Sequence, residues 1–506
     1  MGHSDGPPPG PDFSKGVPLA DIPATGVLAG HVGGEAVLLA RLDDGLHAVG
    51  GTCTHYGAPL GEGLVVGGEI RCPWHHACFS LRTGAALRAP AFAPLACWRV
   101  EVVGDQAFVR AQADADAPPA RPAKPARRPD RILIVGGGAA GFAAAQRLRT
   151  LGYDGALTML SADTAPPCDR PNLSKDYLAG TAQADWIPLQ GPDFYADHDI
   201  DLRLRCEVAS LDAAGRQATT TGGERFGYDA LLLATGAEPR RLELPGFELP
   251  NVHVLRSLDD ADAIIAASAQ ARSVAFVGAG FIGLEAAAAL RTRGLEVHVV
   301  APDAVPMERT LGRELGGFIT GLHRDQGVVF HLRANVRGHD GHALLLEDGT
   351  RVPADLVVVG IGVTPRTALA STAGLQVDDG IVVDARLQAS LPSHYAAGDV
   401  ARFPWRGALA RVEHWVHAQR QGQAAAANLL GAAQAFADVP FFWTHHYGFE
   451  LRHTGIGTGW DEVRLDGELE ARDFTARYYR GGRLVAAASA GRDRENLAIE
   501  AELQAA

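Results

Sequence analysis

Short apolar runs alternate with glycine-rich turns through the first part of the chain. The runs at 35–40 and 98–103 have the length of single strands, and the pattern predicts a small antiparallel β domain over residues 17–110. Residues 1–16 are rich in glycine and proline and are predicted to form a disordered tail. Residues 111–129 are dominated by proline and alanine, which cannot build a core, and are predicted to be a linker.

A different pattern begins after the linker. Two apolar runs, 131–135 and 273–277, each lead directly into spaced glycines and then into an alanine-rich helical pattern. The spaced glycines are Gly136, Gly138 and Gly141 after the first run and Gly278, Gly280 and Gly283 after the second. Glycine here permits a tight turn, lets the backbone approach a pyrophosphate, and lets helix and strand pack closely. Because both sets lie between a strand and a helix, two dinucleotide-binding domains are predicted rather than chance turns.

Length and composition set the broad class. With 506 residues, of which 47% are apolar, the chain can build three or four domains. It has no uninterrupted apolar run of about 18 residues and no N-terminal targeting pattern, so a soluble cytoplasmic protein without a membrane partner is expected. Six cysteines, four of them without paired spacing, favour a reducing compartment. The net charge of −13 argues against a nucleic-acid partner.

Two short motifs in the first domain carry candidate metal chemistry. Cys53-Thr-His55 and Cys72-Pro-Trp-His75 supply two thiolates and two imidazoles. In a Rieske [2Fe-2S] cluster two Cys side chains hold one iron and two His side chains hold the other. A zinc site takes the same ligands, and unrelated core residues are a third interpretation. The turn formers in both loops favour the cluster, which predicts a protein that moves single electrons.

The region resembles Rieske ferredoxin domains. The matching positions are Cys53-Thr54-His55, Gly57, Leu60, Cys72-Pro73-Trp74-His75 and Phe79. It departs at His76, where that family usually has glycine. It also has Ala58 and Trp74 where the respiratory members carry a loop-linking disulfide. The resemblance therefore implies a reduction potential at the low end of roughly −150 to +300 mV, which suits electrons coming from a nicotinamide.

From Asp130 to about Gly459 the chain resembles the pyridine-nucleotide-dependent ferredoxin reductases and the apoptosis-inducing-factor family. The matching motifs are the first glycine loop and residues 169–175, 234–236, 280–285, 397–399 and 413–415. In that family the first glycine loop binds FAD and the second binds NAD(P)H. Together with the Rieske segment, the likeness indicates the Rieske-bearing branch of the family. Disulfide-reductase chemistry is not expected, because Cys168 and Cys206 are isolated rather than paired.

The resemblance implies roles for individual residues. The FAD site is expected to include Gly136, Gly138, Gly141, Asp163 at the ribose, Arg170 at the phosphates, Lys175, Ala234, Thr235, Gly236, Asp399 at the ribityl chain, and Trp415. The NAD(P)H site is expected to include Gly278, Gly280, Phe281, Gly283 and Glu285. Lys175, one of three lysines in the chain, is expected beside the flavin ring and paired with Glu285. These two residues and Trp415 are the candidate catalytic residues.

Each of these roles has a structural alternative. Asp163 could be a loop carboxylate, Asp399 a helix cap and Lys175 a surface lysine, while Phe281 and Trp415 could serve only core packing. The cofactor preference is also open. The strand at 296–300 ends at Ala301, where an acid would hold the NADH ribose, and no adjacent Arg is present to take an NADPH phosphate. Asp303 could take the place of this acid, which favours NADH.

The expected fold class is multidomain, β and α/β. The Rieske domain is followed by an FAD-binding domain over 130–250 and 376–434, an NAD(P)H-binding domain over 251–375, and a C-terminal α+β reductase domain over 435–506. The expected activity passes electrons from NAD(P)H to FAD, to the cluster, and to an external acceptor such as an oxygenase, a cytochrome or a small molecule. The alternative is a redox-sensing or interaction flavoprotein in which turnover is incidental. A homodimer is compatible with either activity.

Overall fold

The computed structural model describes residues 8–112 and 128–505. The chain divides into two compact units, of which unit 1 comprises Met1–Ala126 and Arg492–Ala506, and unit 2 comprises Arg127–Gly491. The polypeptide therefore passes from one unit to the other twice. Within the described ranges no helix is both long and apolar enough to cross a membrane.

Unit 1 is an antiparallel β domain with one helix from the far end of the chain. Its described strands are β1 (Val17–Pro18), β2 (Val27–Val32), β3 (Glu35–Leu42), β4 (Gly45–Gly50), β5 (Leu64–Val66), β6 (Glu69–Arg71), β7 (Cys78–Ser80), β8 (Ala86–Arg88), β9 (Cys97–Val103) and β10 (Gln106–Gln112). One sheet has the order β1-β10-β9-β4-β3-β2, and the other has the order β5-β6-β7-β8. The helix Asp493–Ala505 is called the C-terminal helix below. The antiparallel β domain predicted for the first part of the chain is confirmed.

Both faces of the six-stranded sheet are apolar. Successive side chains of a strand point to opposite sides, so Leu38 and Ala40 of β3 pack in the core that includes Cys53 and Cys72. The alternate residue Val37 packs in a second core on the other face. The first candidate ligand loop follows β4, and the second connects β6 to β7. The two loops are thus fixed to neighbouring sheets around one core.

The structure differs from the predicted disordered tail at residues 8–16. A 3-10 helix spans Phe13–Lys15, and its first turn is capped by the Asp12 side chain, which accepts a hydrogen bond from the Ser14 backbone. Phe13 is fully buried in the second core. Burial of this one apolar side chain orders the segment despite its content of glycine and proline. Residues 111 and 112, predicted as linker, end β10. Residues 1–7 of the tail and 113–127 of the linker lie outside the described ranges.

Unit 2 contains the remaining described strands and nine described helices. The strands are β11 (Arg131–Val135), β12 (Ala156–Leu160), β13 (Ile200–Arg203), β14 (Val208–Asp212), β15 (Gln217–Thr220), β16 (Arg225–Gly227), β17 (Ala230–Leu233), β18 (Ala237–Pro239), β19 (Val252–Val254), β20 (Ser273–Val277), β21 (Glu296–Ala301), β22 (Val329–Leu332), β23 (Val336–His339), β24 (Ala343–Leu346), β25 (Arg351–Pro353), β26 (Leu356–Val359), β27 (Val363–Pro365), β28 (Ile381–Val382), β29 (His394–Ala396), β30 (Ala401–Trp405), β31 (Ala408–Ala410), β32 (Phe441–His446), β33 (Phe449–Gly455), β34 (Glu462–Glu468), β35 (Asp473–Arg480) and β36 (Arg483–Ala490). The helices are α1 (Ala139–Thr150), α2 (Arg170–Leu173), α3 (Asp176–Ala179), α4 (Phe194–Asp197), α5 (Leu258–Ser268), α6 (Phe281–Thr292), α7 (Glu308–Asp325), α8 (Ala368–Thr372) and α9 (Trp415–Leu429).

Two parallel sheets dominate unit 2. The first has the order β13-β12-β11-β17-β29 and the second the order β19-β26-β20-β21-β22. In each, the central strand runs into a glycine loop and then a helix, α1 after β11 and α6 after β20. Both strand-glycine-helix predictions are therefore confirmed. Because β29 pairs with β17 of the first sheet, the chain returns to that sheet after building the second.

The last sheet of unit 2 is antiparallel and has the order β32-β33-β36-β35-β34. Phe449 and Phe474 from this sheet pack into the core of the second parallel sheet. The segment predicted as the C-terminal domain, 435–506, contributes to both units, because Arg492–Ala506 belongs to unit 1. The reason is the buried face of the C-terminal helix, which carries the fully buried Leu497 and Glu500.

Candidate functional site

The four candidate metal ligands of unit 1 meet in like pairs. His55 Nδ1 and His75 Nδ1 are 3.2 Å apart, and Cys53 and Cys72 are buried in the same core, where each thiol shifts the pKa of the other. The residues thus pair Cys with Cys and His with His. A Rieske centre requires this arrangement, because one iron takes two thiolates and the other takes two imidazoles. Across residues 8–112 and 128–505 no group of three or more His, Cys, Asp or Glu could hold a single metal ion. The donor set therefore fits a two-iron cluster better than a four-ligand zinc ion.

Backbone hydrogen bonds set the shape of both ligand loops. In the first loop the Cys53 N–H donates to the Ala58 carbonyl at 2.9 Å. In the second the Cys72 N–H donates to the Ala77 carbonyl at 2.8 Å, and the His76 N–H donates to the Cys72 carbonyl at 3.2 Å. Each loop is thus a turn closed by backbone hydrogen bonds around its Cys and His residues.

Burial and the contact between the two thiols shift the pKa values of the ligand side chains. Burial lowers the pKa of His55 to about 4, so its imidazole is neutral at pH 7, as a metal ligand must be. The hydrogen bond from Cys72 lowers the pKa of the Cys53 thiol, whereas the same hydrogen bond raises the pKa of Cys72. Cys53 is therefore the first of the two thiols to ionise, and its thiolate is stabilised by the neighbouring S–H.

Close packing explains two glycines of the first loop in unit 2. A Cβ on Gly136, which has φ +119°, would lie 2.1 Å from the Ala234 carbonyl oxygen, and one on Gly141 would lie 1.9 Å from the Gly136 carbonyl oxygen. Gly138 caps the N-terminus of α1, and a Cβ there would meet only Arg170 Nη2, at 3.9 Å. The helix N-terminus and this guanidinium form a cradle of the kind that receives a pyrophosphate. The residues thus fit the FAD assignment.

Two arginine-carboxylate pairs lie near this loop. Arg170 Nη2 is 2.8 Å from Asp163 Oδ2, which brings together two residues that the sequence predicted for the same dinucleotide. Arg256 Nη2 is 2.8 Å from Asp399 Oδ2. Sequence reasoning missed Arg256, whose guanidinium would also lie 3.3 Å from a Cβ on Gly236. Little in the sequence indicates its role, because Arg256 lies outside every motif that matches the family and directly precedes the capping residue of a helix.

Ala234 and Thr235 complete the turn after β17. Ala234 is buried, and its backbone N–H bonds to the Val135 carbonyl at 2.8 Å. Thr235 Oγ1 donates to the Arg366 carbonyl at 2.9 Å. These two residues and Gly236 therefore form the turn at the end of a strand that neighbours β11, where the first glycine loop begins.

Glu285 is the centre of a buried polar cluster. Its Oε2 accepts hydrogen bonds from Lys175 Nζ at 2.8 Å and from Ser174 Oγ at 2.6 Å. Its Oε1 accepts one from Thr444 Oγ1 at 2.6 Å. The pairing of Lys175 with Glu285 that the resemblance implied is present in the structure. Sequence reasoning missed Ser174 and Thr444, because hydroxyl residues of this kind occur throughout the chain.

The polar cluster continues beyond Thr444. His446 Nε2 is 3.0 Å from Thr444 Oγ1, and His446 Nδ1 is 3.2 Å from His323 Nε2. Burial lowers the pKa of both histidines to about 3, so both are neutral at pH 7. On the other side, burial raises the pKa of Asp169 to about 7, partly offset by Lys175. Lys175 Nζ also lies 5.7 Å from the centroid of the Trp443 ring.

The second glycine loop repeats the close approach of the first. A Cβ on Gly278, at φ +105°, would lie 2.4 Å from the Gly360 carbonyl oxygen, and one on Gly283 would lie 3.2 Å from the Gly278 carbonyl oxygen. Gly280 caps α6 and has open space on its Cβ side. Phe281 begins α6 with its ring centroid 4.7 Å from that of Phe442.

The last two candidates are Trp415 and Asp303. Trp415 is half-buried as the first residue of α9. Asp303 is exposed, and its carbonyl accepts the Arg333 N–H at 3.1 Å. An arginine thus flanks the turn where sequence reasoning found none adjacent, because Arg333 is distant along the chain.

Known proteins match both units. Residues 130–422 match the family described as pyridine nucleotide-disulphide oxidoreductase, residues 16–99 the Rieske [2Fe-2S] domain, and residues 441–505 the reductase C-terminal family. The chain belongs to the pyridine nucleotide-disulphide oxidoreductase family. It is an NAD(P)H-dependent oxidoreductase of the ferredoxin-reductase type that carries a Rieske domain, and its cofactors are FAD and a [2Fe-2S] cluster.

Several relatives resemble most of the chain. Apoptosis-inducing factor 3 of Homo sapiens is 34% identical over 92% of this chain and 79% of its own length. Rhodocoxin reductase of Rhodococcus erythropolis is 36% identical over 72% of this chain and 88% of its own length. Among solved structures, the covalent putidaredoxin reductase–putidaredoxin complex matches with a TM-score of 0.72 and 34% identity, covering 75% of this chain and 94% of that one. None of the six cysteines, each within the described ranges, is in a disulfide.

Proposed function

We propose that the protein carries electrons from NAD(P)H through FAD to its own Rieske cluster and on to an external one-electron acceptor. The observation that supports this most directly is the convergence of Cys53 with Cys72 and of His55 with His75, in a chain that also has two dinucleotide-binding loops. FAD supplies the chemistry that links a two-electron donor to a one-electron cluster, since it accepts a hydride and can release electrons singly.

The chain's own side chains have defined tasks in this proposal. Cys53 and Cys72 would hold one iron as thiolates, and the neutral imidazoles of His55 and His75 would hold the other. The hydrogen bonds that close each loop fix these donors before the cluster arrives, which limits the reorganisation that electron transfer requires.

Lys175 is proposed to place a positive charge beside the flavin ring. Its ammonium is fixed by Glu285 and by the Pro171 carbonyl, which accepts a hydrogen bond at 3.1 Å. Because both partners fix the ammonium, its charge would stabilise the reduced, anionic form of the flavin ring. Arg170 and the N-terminus of α1 are proposed to bind the FAD phosphates, and Asp399 with its partner Arg256 is proposed to face the ribityl chain.

The remaining assignments are proposals of the same kind. Trp415 is proposed to lie against the isoalloxazine, and Phe281 with the second glycine loop to receive the nicotinamide. The six cysteines, none of which is in a disulfide, favour a cytoplasmic location. The acceptor is a one-electron oxygenase component, cytochrome or small molecule. The names of relatives such as rhodocoxin reductase support a ferredoxin-type acceptor for this chain.

A matched pair of cysteine variants tests the path. Cys72→Ser should remove the cluster and strongly lower NADH-dependent reduction of cytochrome c, while NADH still bleaches the flavin. Cys97→Ser is the control, because Cys97 is a free thiol of the same unit whose pKa is raised by burial. A Cys72→Ser protein that reduces cytochrome c as fast as the parent would refute the proposed exit through the cluster.

The likeness to apoptosis-inducing factor 3 favours one other function, redox sensing or interaction with turnover incidental. The same assay separates the two. Sustained one-electron turnover that depends on Cys72 supports the electron-transfer enzyme. A single slow flavin reduction without sustained turnover supports the sensor.

A further inference from the structure

The C-terminal helix buries a carboxylate in unit 1. Leu497, Ile499 and Leu503 form the apolar part of its buried face, and Glu500 lies among them with none of its surface exposed. A carboxylate in such a place is costly unless it is paired and hydrogen-bonded. Its partners therefore indicate why the chain's last helix is held in this unit.

Those partners stand at both ends of the second ligand loop. Glu500 Oε2 is 2.9 Å from His76 Nδ1 and 3.7 Å from Arg71 Nη1. Arg71 Nη2 also donates to Gln504 Oε1 of the helix at 3.0 Å. Arg71 directly precedes the ligand Cys72, and His76 directly follows the ligand His75. Two turns of one helix thus hold the residues that bracket the four-residue ligand segment.

The contact also explains the departure at His76. This residue has φ +59°, in the left-handed region that favours glycine. Its N–H closes the loop on the Cys72 carbonyl, and its side chain is fully buried. A glycine would take this backbone shape without strain but would have no ring to reach Glu500. His76 therefore has a less favourable backbone conformation than glycine would have, but its imidazole contacts the C-terminal helix.

We propose that Glu500 is a positioning residue for the Rieske cluster, and that the C-terminal helix is a component of the cluster domain. By binding His76 and Arg71 it keeps the Cys72–His75 segment between them in its ligand geometry. The inference deepens the proposed function and rests on its assignment of Cys72 and His75 as ligands. It adds that the cluster domain is incomplete without the end of the segment that matches the reductase C-terminal family.

The test uses the full-length protein with both cofactors. Glu500→Leu should lose its cluster to a chelator about tenfold faster than the parent, the lower end of the effect of removing an outer-shell partner of a metal site. Its cluster should also show altered EPR g-values and an altered reduction potential. Glu500→Gln should behave close to the parent, because the amide oxygen still accepts a hydrogen bond from His76. Glu502→Leu is the control, since Glu502 lies on the exposed side of the same helix.

A second variant covers the case in which Glu500→Leu does not accumulate. His76→Gly removes the same contact from the other side and suits the left-handed backbone. We expect this variant to lose its cluster faster, and adding Glu500→Leu to it to have a smaller effect than in the parent, because only the contact with Arg71 is left to lose. A Glu500→Leu protein with parental chelation rate, EPR spectrum and potential would overturn the inference, as would fully additive effects of the two changes. Retention of the cluster in Cys72→Ser would instead refute the ligand assignment itself.

Discussion

The buried ion pair between Lys175 and Glu285 gives the sharpest prediction about unit 2. In Lys175→Met the ammonium disappears and a carboxylate whose side chain is 4% exposed is left without its counter-charge. Removing one partner of a buried pair costs about 3–5 kcal/mol. Ser174 and Thr444 still donate to Glu285, each at 2.6 Å, so the lower end, about 3 kcal/mol, is expected.

A double variant isolates the cause of that loss. In Lys175→Met/Glu285→Gln no charge is stranded, so the double variant should be more stable than Lys175→Met alone. The local free energy is measured by hydrogen exchange in α6, which carries Glu285. Lys15→Met is the matched control. Lys15 pairs with Asp12 at 3.2 Å but has 81% of its side chain exposed, and such surface pairs contribute about 0–1 kcal/mol.

The same variants report on the flavin. Lys175→Met should retain FAD but slow its reduction by NADH in stopped-flow measurements, because the positive charge proposed beside the ring is gone. Equal hydrogen-exchange effects of Lys175→Met and Lys15→Met would refute the buried-pair reasoning. An unchanged rate of flavin reduction and an unchanged flavin potential would refute the role beside the ring.

Three further predictions concern other parts of the chain. Gly141→Ala should lower FAD content while leaving the cluster absorbance intact, because its Cβ would lie 1.9 Å from the Gly136 carbonyl oxygen. The lowered pKa values of His323 and His446, both about 3, mean that the unfolded chain binds more protons between about pH 3 and 6.5. Stability from these residues is therefore complete above about pH 6.5 and is lost as the pH falls, and His446→Gln should flatten the dependence of the FAD-release temperature on pH in that window. Phe13→Ala should destabilise unit 1 by about 3–5 kcal/mol, seen as a lower melting temperature of the cluster absorbance, whereas an unchanged value would mean that the ordered tail contributes nothing.

The features that the sequence predicted well are local in the chain. The glycine loops and the Cys-x-His and Cys-x-x-His motifs are readable because their spacing follows directly from strand-turn-helix and turn geometry. The Lys175–Glu285 pair is 110 residues apart in sequence and was predicted only because the resemblance supplied it. The tail was misread because composition describes the average residue, whereas the burial of Phe13 alone is enough to order its neighbours.

The features that the sequence could not predict depend on partners brought together by the fold. Arg256 meets Asp399 across 143 residues, and His76 meets Glu500 across 424 residues. Neither pair leaves a spacing that could be recognised along the chain. The C-terminal helix follows β36 directly, so the sequence indicates the end of the reductase domain, and only the contacts that the helix makes in the fold place it in unit 1.

The double passage of the chain between the units has a consequence for biosynthesis. A ribosome completes the strands of unit 1 at Gln112 but does not reach Arg492 until the whole of unit 2 has been made. At about 5–20 residues per second, that interval lasts roughly 20–80 s. Nascent chains and premature termination products thus carry all four cluster ligands but lack Glu500. From the role proposed for Glu500, we expect stable insertion of the cluster to follow synthesis of the flavin-binding domains, and an incomplete reductase to retain a cluster poorly.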